Sequence, residues 1–309
     1  FFVPLCVPIG IAGTQLVLWA FPKLGSARSA PLLALGMAIG GYTAHGFLPA
    51  LSAHLSPREV YDTFNALSRP GEPLGEYRVG GRAAAYYARG GHTREIKQQA
   101  ELIDFLVEPG RHWASFPADE LPTIDRAYRR RAGRHLFVAD ARSARVVLAA
   151  SEPVAGRANE SFVARYVLSE APPVEVPVHA NFEDKIELVG YSLVLPHSGY
   201  VGAGESFTVR WVYRVLREVP GSWKIFLHVD GQGLRLNGDH DPVDGKYPVR
   251  LWDRGDVIVD VQQLKVPANY RAGDYTLFLG FFSGSSRIPV TAGPKDNENR
   301  VRAGTVTIR

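Results

Sequence analysis

Hydrophobic and polar positions alternate along several segments of the last third of the chain. In ESFTVRWVYRV one face carries Phe207, Val209, Trp211, Tyr213 and Val215. A period of two is typical of a strand with one buried face. Similar segments recur up to the last residue, separated by turn signals such as GAGE and YRAGD. The pattern therefore predicts an antiparallel β-sandwich over residues 181–309.

Residues 55–150 mix helical and strand patterns. Val60, Phe64 and Leu67 recur at helical spacing after Ser56 and Pro57, which start a helix well. RAAAYYARG, HTREIKQQAELIDFLVEPG and ADELPTIDRAYRRRAG predict further helices, and EYRVGG, RHWASFP, RHLFVAD and ARVVLAAS predict strands. This alternation predicts a small α/β domain with helices packed on a sheet. Residues 151–180 contain Pro-rich sequence and predict an extended linker strap.

Two long apolar stretches open the chain. Residues 1–22 carry no charge, and residues 31–53 contain only His45 as an ionisable group. Since about 20 apolar residues cross a bilayer, the sequence predicts a transmembrane helical hairpin over residues 1–54. A helical hairpin buried in a soluble core is the alternative.

The connector between these stretches, KLGSARSA, contains Lys23 and Arg28 and no acid. Short positive loops stay in the cytoplasm. The expected topology therefore places the chain in the inner (plasma) membrane, in contact with lipid. Residues after about 54 would then lie on the extracytoplasmic, or periplasmic, side.

The charge distribution argues against one class of partner. The net charge is +4, and arginines cluster in RAYRRRAGR and DARSAR. These clusters lack the interleaved aromatics of a nucleic-acid-binding module, so we expect no nucleic-acid partner. They are typical of a solvated helix face, or of contact with anionic lipid headgroups and phosphate-bearing lipids.

The order of segments over residues 1–150 resembles a known family. Two apolar stretches, LSPREVYDTFNAL, GEYRVGGRAAAYYARG and WASFPADELPTIDRAYRR follow one another. This arrangement resembles the C-terminal region of bacterial membrane glycosyltransferases of the dolichyl-phosphate-mannose protein mannosyltransferase and aminoarabinose-transferase kind. The resemblance implies a polyprenyl-phosphate sugar donor and an extracytoplasmic glycan or protein acceptor. The family's catalytic carboxylates lie in an N-terminal loop outside this chain, so no catalytic residue is assigned here.

The predicted sandwich also resembles a known type of module. The segments FEDKIELVGY, WKIFLHVDG, LWDRGDVIVD and VPANYRAGDYTLFLGFF follow one another as they do in jelly-roll modules appended to some of these transferases. Such modules resemble carbohydrate-binding domains in fold. A fold alone does not establish sugar binding.

Candidate ligands for a metal ion concentrate in and after HVDGQGLRLNGDHDP, residues 228–242. Calcium prefers oxygen ligands, which here would come from Asp230, Asn237, Asp239, Asp241 and Asp244. A structural calcium is one hypothesis for this cluster, although the spacing is not that of an EF-hand. The competing interpretation is a turn in which Asp and Asn bond their own backbone; sugar contact and catalysis are further alternatives.

Aromatic residues supply the candidate sugar platforms. Trp211 lies on the apolar face of its strand, which predicts a core position. Tyr247 and Trp252, in or near the acid-rich loop, are the predicted exposed ligand-binding residues. The alternative for both is a place in the sandwich core.

Two functions follow from these observations. The chain is expected to be the non-catalytic C-terminal part of an integral-membrane glycosyltransferase, whose extracytoplasmic domains position acceptor or partner. The alternative is a membrane-anchored binding or structural protein without enzymatic activity, whose sandwich docks glycan or protein.

Overall fold

Three β-sheets organise the part of the chain that the computed structural model describes, which is residues 10–13, 15–16, 19, 29–79, 82–88 and 92–309. One sheet belongs to an α/β part that follows the N-terminal helices. The other two form a sandwich in the second half of the chain.

The predicted transmembrane hairpin is wrong. Most of the first apolar stretch lies outside the described residues. Over the second stretch, α1 (Ser29–Tyr42) gives way to a π-helical segment (Thr43–Phe47) and then to α2 (Leu48–Leu55). This change of helical pitch divides the apolar stretch into short α-helices. No helix among the described residues is both long and apolar enough to cross a membrane.

A five-stranded mixed sheet forms the centre of the α/β part. Its elements are, in chain order, α3 (Arg58–Leu67), β1 (Leu74–Tyr77), α4 (Arg82–Tyr87), β2 (Thr93–Ile96), α5 (Gln99–Val107), β3 (Trp113–Pro117), α6 (Leu121–Ala132), β4 (Phe137–Asp140) and β5 (Val146–Ala150). The strand order is β2-β1-β3-β5-β4. β1 pairs in parallel with β2 and β3, whereas β5 pairs antiparallel with β3 and β4.

One predicted helix of this part begins later than expected. The stretch HTREIKQQAELIDFLVEPG forms β2 before α5 starts at Gln99. Thr93 and Ile96 pair with Leu74 and Tyr77 of β1, and Ile96 is buried. Their β-branched side chains suit a strand, so sheet pairing overrides the helical pattern there.

The two sheets of the sandwich are antiparallel throughout. A short helix, α7 (Phe162–Tyr166), leads into this part. The strands are β6 (Val167–Leu168), β7 (Val176–Phe182), β8 (Ile186–Val194), β9 (Ser206–Val215), β10 (Lys224–Gly231), β11 (Leu234–Asn237), β12 (Val257–Lys265), β13 (Gly273–Ser283), β14 (Ser286–Arg287), β15 (Val290–Ala292) and β16 (Val301–Ile308). One sheet has the order β15-β7-β8-β9-β12-β6, and the other has β11-β10-β13-β14 with β16 also on β13. The β-sandwich predicted from the alternating pattern is confirmed.

The inner faces of both sheets share one core. All five apolar side chains predicted for one face of β9 are buried there. The outer face of the six-stranded sheet is partly covered as well, because Leu168, Ala171 and Val174 pack on Val189 and Val212. The segment that follows β6 therefore lies against the sandwich.

A buried arginine on α6 joins the α/β part to the sandwich. Nη1 of Arg129 lies 2.6 Å from Oδ1 of Asp256, and Nε lies 3.1 Å from Oδ2 of Asp125. Nη2 donates to the Tyr247 hydroxyl at 2.9 Å. Both carboxylates are buried. A single guanidinium group therefore pairs with acids from both parts of the chain.

Two further arginines of α6 extend this junction. Arg126 and Arg130 share the helix face of Arg129, since residues three and four apart are neighbours on a helix. Arg126 Nε donates to Asp253 at 2.8 Å, and Arg130 donates to Glu218 at 2.7 Å. These arginines, predicted to be solvated or to meet anionic lipid, instead pair with acids of the sandwich.

We predict that Arg129→Ala lowers the free energy of unfolding by about 3–5 kcal/mol, because it leaves Asp256 buried without an ion-pair partner and Asp125 with His135 alone. Urea unfolding followed by circular dichroism measures the change. Arg131→Ala is the matched control on the same helix. Its side chain is 59% exposed and its partner Asp104 is 63% exposed, so the expected loss is below about 1 kcal/mol. Equal losses in the two variants would contradict the role of Arg129.

Candidate functional site

The two aromatic residues predicted to bind a ligand lie in the core. Tyr247 and Trp252 are both fully buried, so the expectation that they are exposed is wrong. Trp252 Nε1 donates to the Tyr247 carbonyl at 3.1 Å, and its ring contacts Tyr213 and Phe281. The two residues fill the space beneath α6, and they present no ring face to a ligand.

The acids predicted to hold calcium are directed at separate partners. Asp230 accepts two hydrogen bonds from Arg235, at 2.7 and 2.8 Å, and a third from Arg300 at 3.1 Å. Asp241 accepts from Lys224 Nζ at 2.9 Å. Each carboxylate is thus neutralised by its own cationic side chain.

The remaining residues of the predicted set serve the loop itself. Asn237 accepts from the backbone N–H of Asp239 at 2.8 Å, and Asp239 accepts from the N–H of Leu227 at 3.2 Å. Asp244 is 86% exposed. Among the described residues, no group of three or more His, Cys, Asp or Glu side chains is placed to hold a metal ion. The five residues therefore bond separate partners in this structure, and a structural calcium stays a prediction.

A second candidate surface lies on the outer face of the sandwich sheet that contains β10 and β13. Period two places Phe226 and His228 of β10 on the outer face, next to Phe278 and Phe282 of β13; Phe226 is only 3% exposed, and the other three are half-buried. We call these four residues the aromatic face. Gly280 opposes Phe226 across the strands, and a Cβ there would lie 2.5 Å from Cζ of the ring. This glycine lets the Phe226 ring lie flat against the sheet.

Guanidinium groups stack on the rings of the aromatic face. Arg287 lies 4.8 Å from the ring centre of Phe226, and Arg300 lies 4.1 Å from that of Phe278. Such stacking is favourable because the ring face carries partial negative charge. Arg287 lies on β14, and Arg300 lies in the turn before β16. Both therefore contact the rings of β10 and β13 only in the folded sheet.

His228 provides the neutral polar group of this surface. Burial, followed by the charge of Arg235, lowers its pKa below the ordinary value of about 6.5. The ring is therefore neutral at pH 7 and offers one donor and one acceptor nitrogen. Nδ1 is buried and has no hydrogen-bond partner within the described part of the chain. Nε2 lies 3.7 Å from Asp239.

A buried ion pair closes the edge of the sandwich beside this surface. His240 Nε2 lies 2.7 Å from Asp260 Oδ2, and its Nδ1 lies 2.9 Å from the Gly238 carbonyl. Asp260 also accepts from the N–H of Val243 at 2.7 Å. Val243 has φ 53°, a region that β-branched residues rarely adopt. The carboxylate thus holds this loop in a strained conformation.

Part of the aromatic face was predictable from sequence. The pattern of WKIFLHVD places Phe226, His228 and Asp230 on one face, and this prediction is confirmed. The segment DYTLFLGFF carries the same signal for Phe278 and Phe282, which were not among the predicted site residues. Only the alternation of that segment would have indicated them.

Comparisons with known proteins do not identify a family. A scan against protein-family models finds none that matches the chain. A search of curated proteins finds no match either.

Three of the solved structures that match the chain show slight likeness to it. The C-terminal domain of Wzt is 12% identical to this chain, with a TM-score of 0.34. The match covers 45% of this chain and 82% of that domain. A Niemann-Pick type C2 protein from Japanese carpenter ant is 10% identical, with coverages of 45% and 98% and a TM-score of 0.27. The alkylpurine DNA glycosylase AlkC of Pseudomonas fluorescens is 9% identical, with coverages of 45% and 31% and a TM-score of 0.24. Likeness at this level carries no argument about the chain's function.

We predict that the stabilisation by His240 depends on pH. Burial lowers the pKa of His240, but the hydrogen bond and charge of Asp260 outweigh this and raise it above the ordinary value. Because its pKa is higher in the folded than in the unfolded chain, protonated His240 stabilises the fold below about pH 6.5. This stabilisation is lost as the pH rises through the folded-state pKa. His240→Gln should therefore cost roughly 3 kcal/mol at pH 6 and less at alkaline pH.

Urea unfolding of both proteins from pH 5.5 to 9 tests this prediction. His179→Gln is the control, because His179 is 66% exposed in its pair with Glu187 and should change stability by under about 1 kcal/mol. A gap between wild type and His240→Gln that stays constant with pH would contradict the proposed protonation.

Proposed function

We propose that the chain binds a glycan on the aromatic face of its sandwich. The observation that carries this proposal is the row of half-buried His228, Phe278 and Phe282, beside the buried Phe226 and interleaved with arginines and an acid. Single exposed apolar side chains need no explanation. A row of rings combined with convergent polar groups is typical of a ligand site.

The chemistry of this surface suits a sugar ring. One side of a pyranose presents C–H groups that pack against an aromatic ring, and its edge presents hydroxyl groups. The ring for this contact is that of Phe282, since Arg287 and Arg300 already lie over the rings of Phe226 and Phe278. The pair of Asp230 and Arg235 offers charged acceptors and donors, which make stronger hydrogen bonds than neutral groups. His228 adds one neutral polar atom, Nε2, because its Nδ1 is buried. Since Asp230 is already neutralised by Arg235 and Arg300, the surface favours a polyhydroxylated ligand without net charge.

The outer face of the other sheet is less suited to this role. Leu168, Ala171 and Val174 already pack on Val189 and Val212 there. At its uncovered end, Arg210 donates to the Pro173 carbonyl. That face therefore has part of its apolar surface covered by the chain itself.

Both functions expected from the sequence would use the same surface. In a glycosyltransferase of the kind the chain resembles, the aromatic face would position a glycan acceptor while a polyprenyl-phosphate sugar reacts elsewhere. In a binding protein without enzymatic activity, retention of the glycan would be the function itself. A protein partner is less favoured, since balanced ion pairs rim the rings.

A panel of immobilised neutral and acidic oligosaccharides, followed by calorimetric titration of the best binder, tests the proposal. We expect Phe282→Ala and Arg287→Ala each to weaken binding about tenfold, since a stacking contact contributes roughly 1 kcal/mol or more. Arg250→Ala is the control, because Arg250 is exposed away from the aromatic face. If wild type retains no oligosaccharide, or if the control weakens binding as much as the face variants, the proposal fails.

A further inference from the structure

A cleft of about 700 Å³ opens where the α/β part meets the sandwich. Its walls are the end of α6, the segment that follows β6, and the turn before β12. Arg134, Ser169 and Arg254 line it. The aromatic face contributes none of the lining residues, so the cleft is a separate site.

Several charged groups of the cleft are already paired. Arg129 and Asp256 both line it, and they neutralise each other at 2.6 Å. His135 has each ring nitrogen 2.9 Å from an acceptor, namely Asp125 Oδ2 and the Val167 carbonyl. These side chains are held by the protein and leave little capacity for a ligand.

Two arginines of the same cleft keep free donors. Arg254 is exposed and forms neither a hydrogen bond nor an ion pair with any described residue. Arg134 donates from Nη2 to the Ser151 carbonyl at 2.9 Å and has no acid partner in the described ranges. A guanidinium group presents up to five donors in a planar fork that matches carboxylate and phosphate oxygens. Most of these donors remain available here.

We propose that this cleft binds an oxyanion, a phosphate or carboxylate group, through Arg134 and Arg254. The Ser169 hydroxyl, exposed at the same wall, adds a neutral donor. A ligand held this way bridges the two parts of the chain, because Arg134 follows α6 and Arg254 belongs to the sandwich. Its binding therefore stabilises the junction that Arg129 forms.

Substitution of Glu170 tests whether the ligand of the cleft is an anion or a cation. It also lines the cleft and forms no ion pair with a described residue. Its negative charge repels an oxyanion, so Glu170→Gln strengthens oxyanion binding. For a cationic ligand the same substitution weakens binding. The variant therefore separates the two classes of ligand.

Calorimetric titration and thermal unfolding of the full chain, at constant ionic strength, provide the measurement. The probes are inorganic phosphate, acetate and, as the neutral comparison, acetamide, none of which carries a sugar ring. We expect phosphate or acetate, but not acetamide, to raise the unfolding temperature, and the stronger of the two identifies the preferred group. Arg254→Ala should weaken that binding about tenfold, the value of a lost charge-assisted hydrogen bond, as should Arg134→Ala. Arg250→Ala should leave it unchanged.

The outcomes separate this site from the glycan site. Phe282→Ala should leave oxyanion binding unchanged, because its ring lies on the aromatic face. The proposal is overturned if wild type binds neither anion, if acetamide acts as the anions do, or if Arg254→Ala and Arg134→Ala bind as wild type. Weaker oxyanion binding by Glu170→Gln would also overturn it.

Discussion

The burial of Asp125 and Asp256 is the constraint on which the arrangement of this chain depends. A buried carboxylate without a partner costs several kcal/mol, and one guanidinium group, that of Arg129, serves both. Asp125 also accepts from the N–H of Leu136, and Asp256 accepts from that of Asp253. The ionic contact therefore fixes the start of β4 and the turn before β12 as well as the helix. The pairing of Arg129 with these two carboxylates, together with a shared apolar core, sets the position of the sandwich relative to the α/β sheet.

This junction decides which surfaces remain available for a ligand. Tyr247 is buried because its hydroxyl accepts from Arg129 and its ring lies beneath α6. The outer face of the six-stranded sheet loses part of its area to the segment around Ala171 and Val174. The aromatic face on the opposite sheet stays partly accessible through His228, Phe278 and Phe282, and the cleft at the edge of the junction stays open. The two candidate sites are thus among the surfaces that the packing of the described residues leaves accessible.

Local patterns predicted local structure well. Alternation assigned the buried face of β9 and the outward position of His228 correctly, because period two depends only on neighbouring residues. It failed for Tyr247 and Trp252, whose burial depends on a helix more than a hundred residues earlier in the chain. It failed also for Thr93–Ile96, where pairing with β1 decides the structure. The transmembrane prediction rested on apolar composition alone, which does not detect the π-helical segment Thr43–Phe47.

Charged residues illustrate the same limit most clearly. The acid-rich loop suggested a metal site because its carboxylates are close in sequence, yet Asp230 and Asp241 face cations contributed by different strands. The arginines of α6 suggested an anionic partner, yet three of them are neutralised within the chain. A charge indicates a ligand only after its internal partners have been counted. By that criterion Arg254, without an acid among the described residues, is better evidence for an external anion than the denser cluster on α6.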